Sequence, residues 1–167
     1  MTNARFKVWR TIKLGTGLKT ANNFRKALKG SGFNISDWVN DILSKRAFAD
    51  SVSPIPIEVD LCIATKADLT GKKECGTTAE VFDGIRRLGG ELCSDEVGPQ
   101  LRLQYRDQPK NERLLIAMEV ITDDYDGDRS VFCVGHTGGV GLWIDVSGGC
   151  GPNDFWSGDN RWVFRCK

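Results

Sequence analysis

The chain is poor in the residues that most often mark chemistry. It holds a single histidine, His136, so Ser–His or Cys–His catalysis has one imidazole to draw on. Six cysteines stand at 62, 75, 93, 133, 150 and 166, with gaps of 13 to 40 residues and no Cys-x-x-Cys pair. A zinc site would therefore have to be assembled from distant segments. No apolar run is long enough to cross a bilayer, and no apolar signal core follows the polar, basic stretch Met1–Lys7. There is no Gly-x-Ser-x-Gly elbow, no internal repeat and no low-complexity run. These absences lead us to expect a cytoplasmic protein with reduced, mostly buried thiols, with no bound metal, no cofactor and no membrane contact.

What is present fits one folded domain. The 167 residues are 40% hydrophobic and 27% charged, too apolar for disorder and too short for two independent cores. The net charge of +1 hides a split. Residues 1–50 carry ten Lys/Arg against three Asp; residues 51–167 carry thirteen basic and nineteen acidic residues. Such asymmetry marks either a polyanion-binding end or two halves that neutralise each other inside one fold.

Periodicity divides the chain into a basic, helical N-terminal part, 1–50, and a mixed, β-rich part, 57–167. Residues 6–14 alternate as a strand, which Gly15-Thr16-Gly17 ends. Thr20 caps a helix over about 21–29, with Ala21, Phe24 and Leu28 on one face and Gly30 as its stop. Ser36 caps a second helix with the stripe Trp38, Val39, Ile42 and Leu43, closed by Lys45 and Arg46. Residues 47–56 read as a connector. Ile57, Val59, Leu61 and Ile63 alternate as a strand. Thr77-Thr78-Ala79-Glu80 has capping-box spacing and opens a third helix that Gly89-Gly90 ends. Leu101, Leu103 and Tyr105 alternate with Arg102, Gln104 and Arg106 and read as a further strand. Leu114–Ile121 is apolar on both faces except at Glu119 and should lie centrally in its sheet. Turns at Asp126-Gly127 and Gly138-Gly139 lead into strands over Val131–Val134 and Val140–Val146, and the last strand is Arg161–Cys166. The expected fold is thus α+β: an antiparallel sheet of five to seven strands, a meander in its C-terminal half, with about three helices packed on one side, two of them N-terminal.

Each local motif has a plain structural reading beside a functional one. Leu14-Gly-Thr-Gly-Leu-Lys-Thr20 lies between a strand and a helix, where Gly-rich loops hold phosphates. Leu18 breaks the P-loop spacing, and a turn with an N-cap explains the same residues. Asp123-Asp124-Tyr125-Asp126-Gly127-Asp128 groups four carboxylates but departs from the EF-hand order, and Asp-Gly is first a hairpin turn. The two N-terminal helices suggest helix-turn-helix, yet their connector is long and the second helix exposes Asp37 and Asp41, which phosphates repel. Lys13, Lys19, Arg25, Lys26 and Lys29 remain as a phosphate-facing patch with salt-dependent, sequence-blind binding. Trp156 and Trp162 offer faces for stacking on a ligand, or fill the core of a small sheet.

Three strings, Lys19-Thr-Ala-Asn-Asn-Phe-Arg-Lys-Ala-Leu28, Glu96-Val-Gly-Pro-Gln-Leu-Arg-Leu-Gln-Tyr-Arg-Asp-Gln-Pro109 and Asp159-Asn-Arg-Trp-Val-Phe164, resemble a family of small hypothetical proteins from uncultivated bacteria. That resemblance implies a bacterial protein and carries over no activity and no catalytic residue. The leading functional expectation is a non-enzymatic binding module that contacts nucleic acid or an acidic protein through the basic N-terminal region. The alternatives are a small enzyme or ligand-binding protein with a pocket near the C-terminal turns, and a protein–protein interaction domain.

Overall fold

A computed structural model describes residues 6–125 and 127–167; Asp126, expected in a turn and in the acidic run, lies outside the described residues. The strands are β1 (Arg10–Leu14), β2 (Ile57–Thr65), β3 (Gly76–Thr77), β4 (Arg113–Ile116), β5 (Ile121–Thr122), β6 (Arg129–Thr137), β7 (Gly141–Ser147), β8 (Phe155–Trp156) and β9 (Arg161–Arg165). The helices are α1 (Ala21–Gly30), α2 (Asp37–Ser44), α3 (Arg46–Ser51), α4 (Lys66–Thr70), α5 (Thr78–Arg87) and α6 (Val97–Gln104). Seven strands form one sheet that runs β1-β2-β9-β4-β6, with β5 and β7 both paired to β6; β3 and β8 form a separate two-stranded ribbon. All pairings are antiparallel except β4 with β9. The mixed helix-and-strand class is as expected, and β5, β6 and β7 make the expected antiparallel succession. The C-terminal strand β9 does not extend that meander. It inserts between β2 and β4.

Six helices stand where about three were expected, and they cover both faces of the sheet rather than one. Register shows why. Trp162 pairs with Leu115 and Leu115 with Cys133, so these three share a face. Phe132 and Val163 lie on the other face, because side chains alternate along a strand. The Phe82 ring of α5 meets Trp162 edge to face at 6.0 Å. On the opposite face Phe48 of α3 meets both Phe24 of α1, at 5.1 Å, and Phe132, at 6.1 Å. Gly98 of α6 packs so closely on Phe132 that an added Cβ would fall 2.6 Å from the ring.

Local signals held well where a cap announced the helix. Thr20, Ser36 and Thr77 each accept a backbone N–H from three residues on, and Thr77 with Glu80 forms the full capping box. Lys45 does not close a single helix. Its backbone is extended and it joins α2 to α3, so Arg46 opens a new helix that takes in residues 47–51 of the expected connector, anchored by buried Phe48. A short helix, α4, follows β2 and is capped by Thr65 with Asp68.

The expected strand at Leu101–Tyr105 is instead the end of α6. Val97, Leu101 and Tyr105 recur every four residues and are buried, and Glu96, Gln100 and Gln104 recur at the same interval beside them. Four-residue spacing on two adjacent rows is a helix pattern. The alternation that suggested a strand came from Arg102, which is fully buried although charged. Its guanidinium donates to Gln108 Oε1 at 2.6 Å and to the carbonyls of Gly135 at 3.1 Å and Trp143 at 3.2 Å, and to that of Tyr105. Desolvation lowers its pKa to about 10. Arg102 thereby fastens α6 and the turn after it to β6 and β7.

The cysteines also depart from expectation. Cys62 and Cys166 form a disulfide with Cα atoms 5.7 Å apart. Cys62 pairs with Phe164 in the β2–β9 ladder, which brings Cys166 within reach across the strand end. The remaining thiols at 93, 133 and 150 are buried, as expected, and Cys75 is exposed.

Candidate functional site

The Gly15–Thr20 loop becomes one wall of a cleft of about 720 Å³. The cleft lies at the end of the β1–β2 ladder, where Leu14 pairs with Ile57. Gly15, Thr16, Gly17 and Lys19 come from one side, and Ser53, Pro54 and Pro56 from the other. Lys13 and Glu58, opposite each other in the ladder, complete it. Gly15 has φ +62°, and a Cβ there would lie 2.0 Å from the Ile55 carbonyl oxygen. Only glycine permits that approach.

A row of polar side chains on α6 holds the two walls in place. Glu96 is fully buried. It accepts the N–H of Gly15 at 2.9 Å and that of Ser53 at 2.8 Å, one from each wall. The Gln100 amide donates to Glu96 at 3.1 Å and to Thr16 Oγ1 at 2.8 Å. One turn on, Gln104 accepts from the N–H of Lys13 at 2.9 Å and donates to its carbonyl at 2.8 Å. That side-chain amide satisfies the open edge of β1 as a neighbouring strand would. The alternation at Leu101–Tyr105 predicts a strand and so hides the row Glu96, Gln100 and Gln104; their four-residue spacing is the signal that marks it.

The basic residues singled out from sequence fall into three groups. Lys13 and Lys19 are exposed, line the cleft and have no ion-pair partner among the described residues. Lys26 and Lys29 are exposed on α1, outside the cleft lining. Arg25 is not a surface ligand group. It donates to Asn40 Oδ1, to the Asn40 carbonyl and to Asn22 Oδ1, each at 2.9 Å, and to Ser44, so it binds α1 to α2. Internal neutralisation of the basic half is partial. Arg10 pairs with Asp107 at 3.0 Å, Lys45 with Asp124 at 2.5 Å, and Arg46 with Asp50 at 3.6 Å.

The two tryptophans are placed differently from a stacking platform. Trp162 is wholly buried and enclosed by Phe82 and Trp156, the latter edge to face at 5.2 Å. Trp156 is half-buried and donates its indole N–H to Thr78 Oγ1 at 2.8 Å. Beside them Lys66, also fully buried, donates to the carbonyls of Glu74, at 2.8 Å, and Lys72, closing the loop before β3. Rings and cation here hold the ribbon to the sheet.

Near the C-terminal turns two open, polar hollows are present. One of about 260 Å³ is lined by Trp38, Asp123, Asp128 and Asp145, and one of about 340 Å³ by Glu112, Arg113, Asp159 and Arg161. His136 lies in β6, and its Nδ1 is 2.6 Å from the Gln108 carbonyl. A carbonyl only accepts, so this nitrogen carries the proton. Cys133 and His136 project to opposite faces of β6, and no dyad forms. Burial pushes the thiols of Cys93 and Cys150 up to about 12 and that of Cys133 to about 11, far from the thiolate a nucleophile needs. Among the described residues no group of three or more His, Cys, Asp or Glu is arranged to hold a metal ion, and no helix is long and apolar enough to cross a membrane.

No protein-family model matches the chain, and neither a curated protein nor a solved structure does.

Proposed function

We propose that the chain is a non-enzymatic binding module that takes a single strand of nucleic acid across the Gly15–Lys19 cleft. The observation that carries this reading is the coincidence of two unpaired lysines, Lys13 and Lys19, with the roomiest cavity described above. Its apolar rim suits bases rather than phosphates alone: Pro54 and Pro56 line it, and Ile55 between them is 61% exposed. Sequence-tolerant strand binding joins a cationic groove to flat faces for the bases, most often aromatic ones; here the proline rings of Pro54 and Pro56 take that place beside the two cations. Lys26 and Lys29 add positive charge on the neighbouring helix. A duplex is less well served, since α2 presents the exposed carboxylate of Asp37, which phosphates repel; Asp41, expected to be exposed beside it, is largely covered and paired with Lys45 at 3.5 Å.

The test is an electrophoretic mobility shift with single-stranded and duplex oligonucleotides at low and near-physiological salt. We expect a shift with the single strand that weakens with salt and is lost in the Lys13→Glu/Lys19→Glu variant. Arg25 is left intact, because changing it would loosen α1 from α2. The bacterial, cytoplasmic setting expected from sequence belongs to this reading, so the assay is run with and without reductant. Absence of a shift at low salt overturns the proposal and turns attention to an acidic protein partner for the same lysines.

A further inference from the structure

A second cavity, of about 130 Å³, lies on the helix-covered face of β1 and β2 and shares Leu14, Ser53 and Ile57 with the cleft wall. We infer that it is a binding site for a short aliphatic carboxylate, with the hydrocarbon inside and the carboxylate on Arg165. The inference is independent of the nucleic-acid reading.

Register fixes the parts. Leu14 and Ile57, and Ile12 and Val59, pair across β1 and β2, and Leu61 pairs with Arg165 across β2 and β9. Directly paired side chains share a face, so Val59, Leu61 and Arg165 all project into the layer closed by Val97 of α6. Apolar side chains line one side of the cavity and Ser51, Ser53 and Ser94 add hydroxyls to it, while the exposed Arg165 stands at its rim. The Arg165 backbone is committed to Glu91, with N–H to carbonyl at 2.9 Å in both directions, but its guanidinium has no partner among the described residues. No carboxylate lines the cavity, so nothing in it neutralises that charge.

A second polar group points the same way. The Ser94 hydroxyl, also in the lining, is shut off from solvent and makes no hydrogen bond. A shielded, unpaired hydroxyl destabilises the empty cavity, and a ligand oxygen would satisfy it. Cys93 beside it is a thiol raised to about 12 by burial and held toward the Val163 carbonyl at 3.8 Å, so the site binds without covalent chemistry. Size limits the ligand. The volume is well below the roughly 300 Å³ at which pockets for drug-sized molecules begin, which leaves room for an acid of a few carbons. An amine of the same length would meet Arg165 with like charge, and an alcohol would leave the guanidinium unpaired.

Butyrate, butylamine and butanol are titrated into the whole protein, with backbone amide shifts of Cys93, Ser94 and Val97 as the readout. The structure predicts saturable shifts with butyrate and binding about tenfold weaker or worse for the other two, since a charge-assisted hydrogen bond carries roughly that discrimination. Arg165→Gln, at an exposed side chain, should weaken butyrate by about tenfold or more, and Ser94→Ala by less. Lys13→Glu/Lys19→Glu should leave butyrate binding unchanged while abolishing the nucleic-acid shift, so either site can fail without the other. No saturable shift by about 50 mM butyrate, equal binding of butylamine, or an unaffected Arg165→Gln variant each overturns the inference.

Discussion

Two regions of this protein carry the same ingredients and use them in opposite ways. At the Gly15–Lys19 loop the buried charge is a carboxylate, Glu96, and the lysines stand free at the surface. At the ribbon of β3 and β8 the buried charge is a lysine, Lys66, and the aromatic rings close over one another. In both, a buried ion draws loop backbone toward it: Glu96 takes two N–H groups, Lys66 two carbonyls. The difference lies in what is left over. The ribbon has its cation satisfied and Trp162 sealed, so it holds itself together. The cleft keeps two cations and an apolar rim unsatisfied, as a binding surface requires.

The largest expected effect is at Glu96. Glu96→Ala orphans the N–H groups of Gly15 and Ser53 and half of the Gln100 amide, and should cost about 3–5 kcal/mol in chemical denaturation. Lys66→Met removes the equivalent clamp from the ribbon and should cost about 2–3 kcal/mol while leaving strand binding intact. Equal loss of binding in both variants would erase the distinction between the regions. Reduction of Cys62–Cys166, which closes a span of 104 residues, should lower stability by about 2–4 kcal/mol, read as a shift in the denaturation midpoint.

A smaller, pH-dependent effect belongs to Asp95, next to Glu96. Burial first, and the charge of Glu119 second, raise its carboxyl to about 7. The fold therefore accommodates the protonated form. Its contribution to stability is full below the ordinary value near 3.8 and is lost as pH climbs through about 7. Asp95→Asn should abolish that loss, gaining on the order of 3 kcal/mol at pH 8 and almost nothing at pH 4. A variant with an unchanged pH profile would show that Asp95 is solvated after all. Least of all in stability is the pair Lys13→Gln and Lys19→Gln, at exposed positions, for which less than about 0.5 kcal/mol is expected.

How legible these regions were depended on range. Helix starts were readable because a cap acts over three residues, as at Thr20, Ser36 and Thr77. β2 was readable because one strand alternates within itself, and the loop at Gly15 because glycine is needed there for a local reason. The cleft was not readable, since its second wall is brought from Ser53–Pro56 by Glu96, across 81 and 43 residues. β9 between β2 and β4, the disulfide and the burial of Trp162 are likewise products of strand order. Arg102 misled directly: a charge predicts a solvated face, and here carbonyl oxygens stand in for water. The basic half was legible as a quantity and not as a surface, because Arg25 and Lys13 look alike in sequence and only one is free.

The most direct test of the central claim is the salt dependence of binding to a labelled oligothymidine, measured by fluorescence anisotropy for the parent protein and the Lys13→Gln/Lys19→Gln variant. Each lysine that neutralises a phosphate on a single strand contributes about 0.7 to the slope of log K against log salt. The account predicts weaker binding and a slope shallower by about 1.4 in the variant; identical affinities and slopes would contradict it.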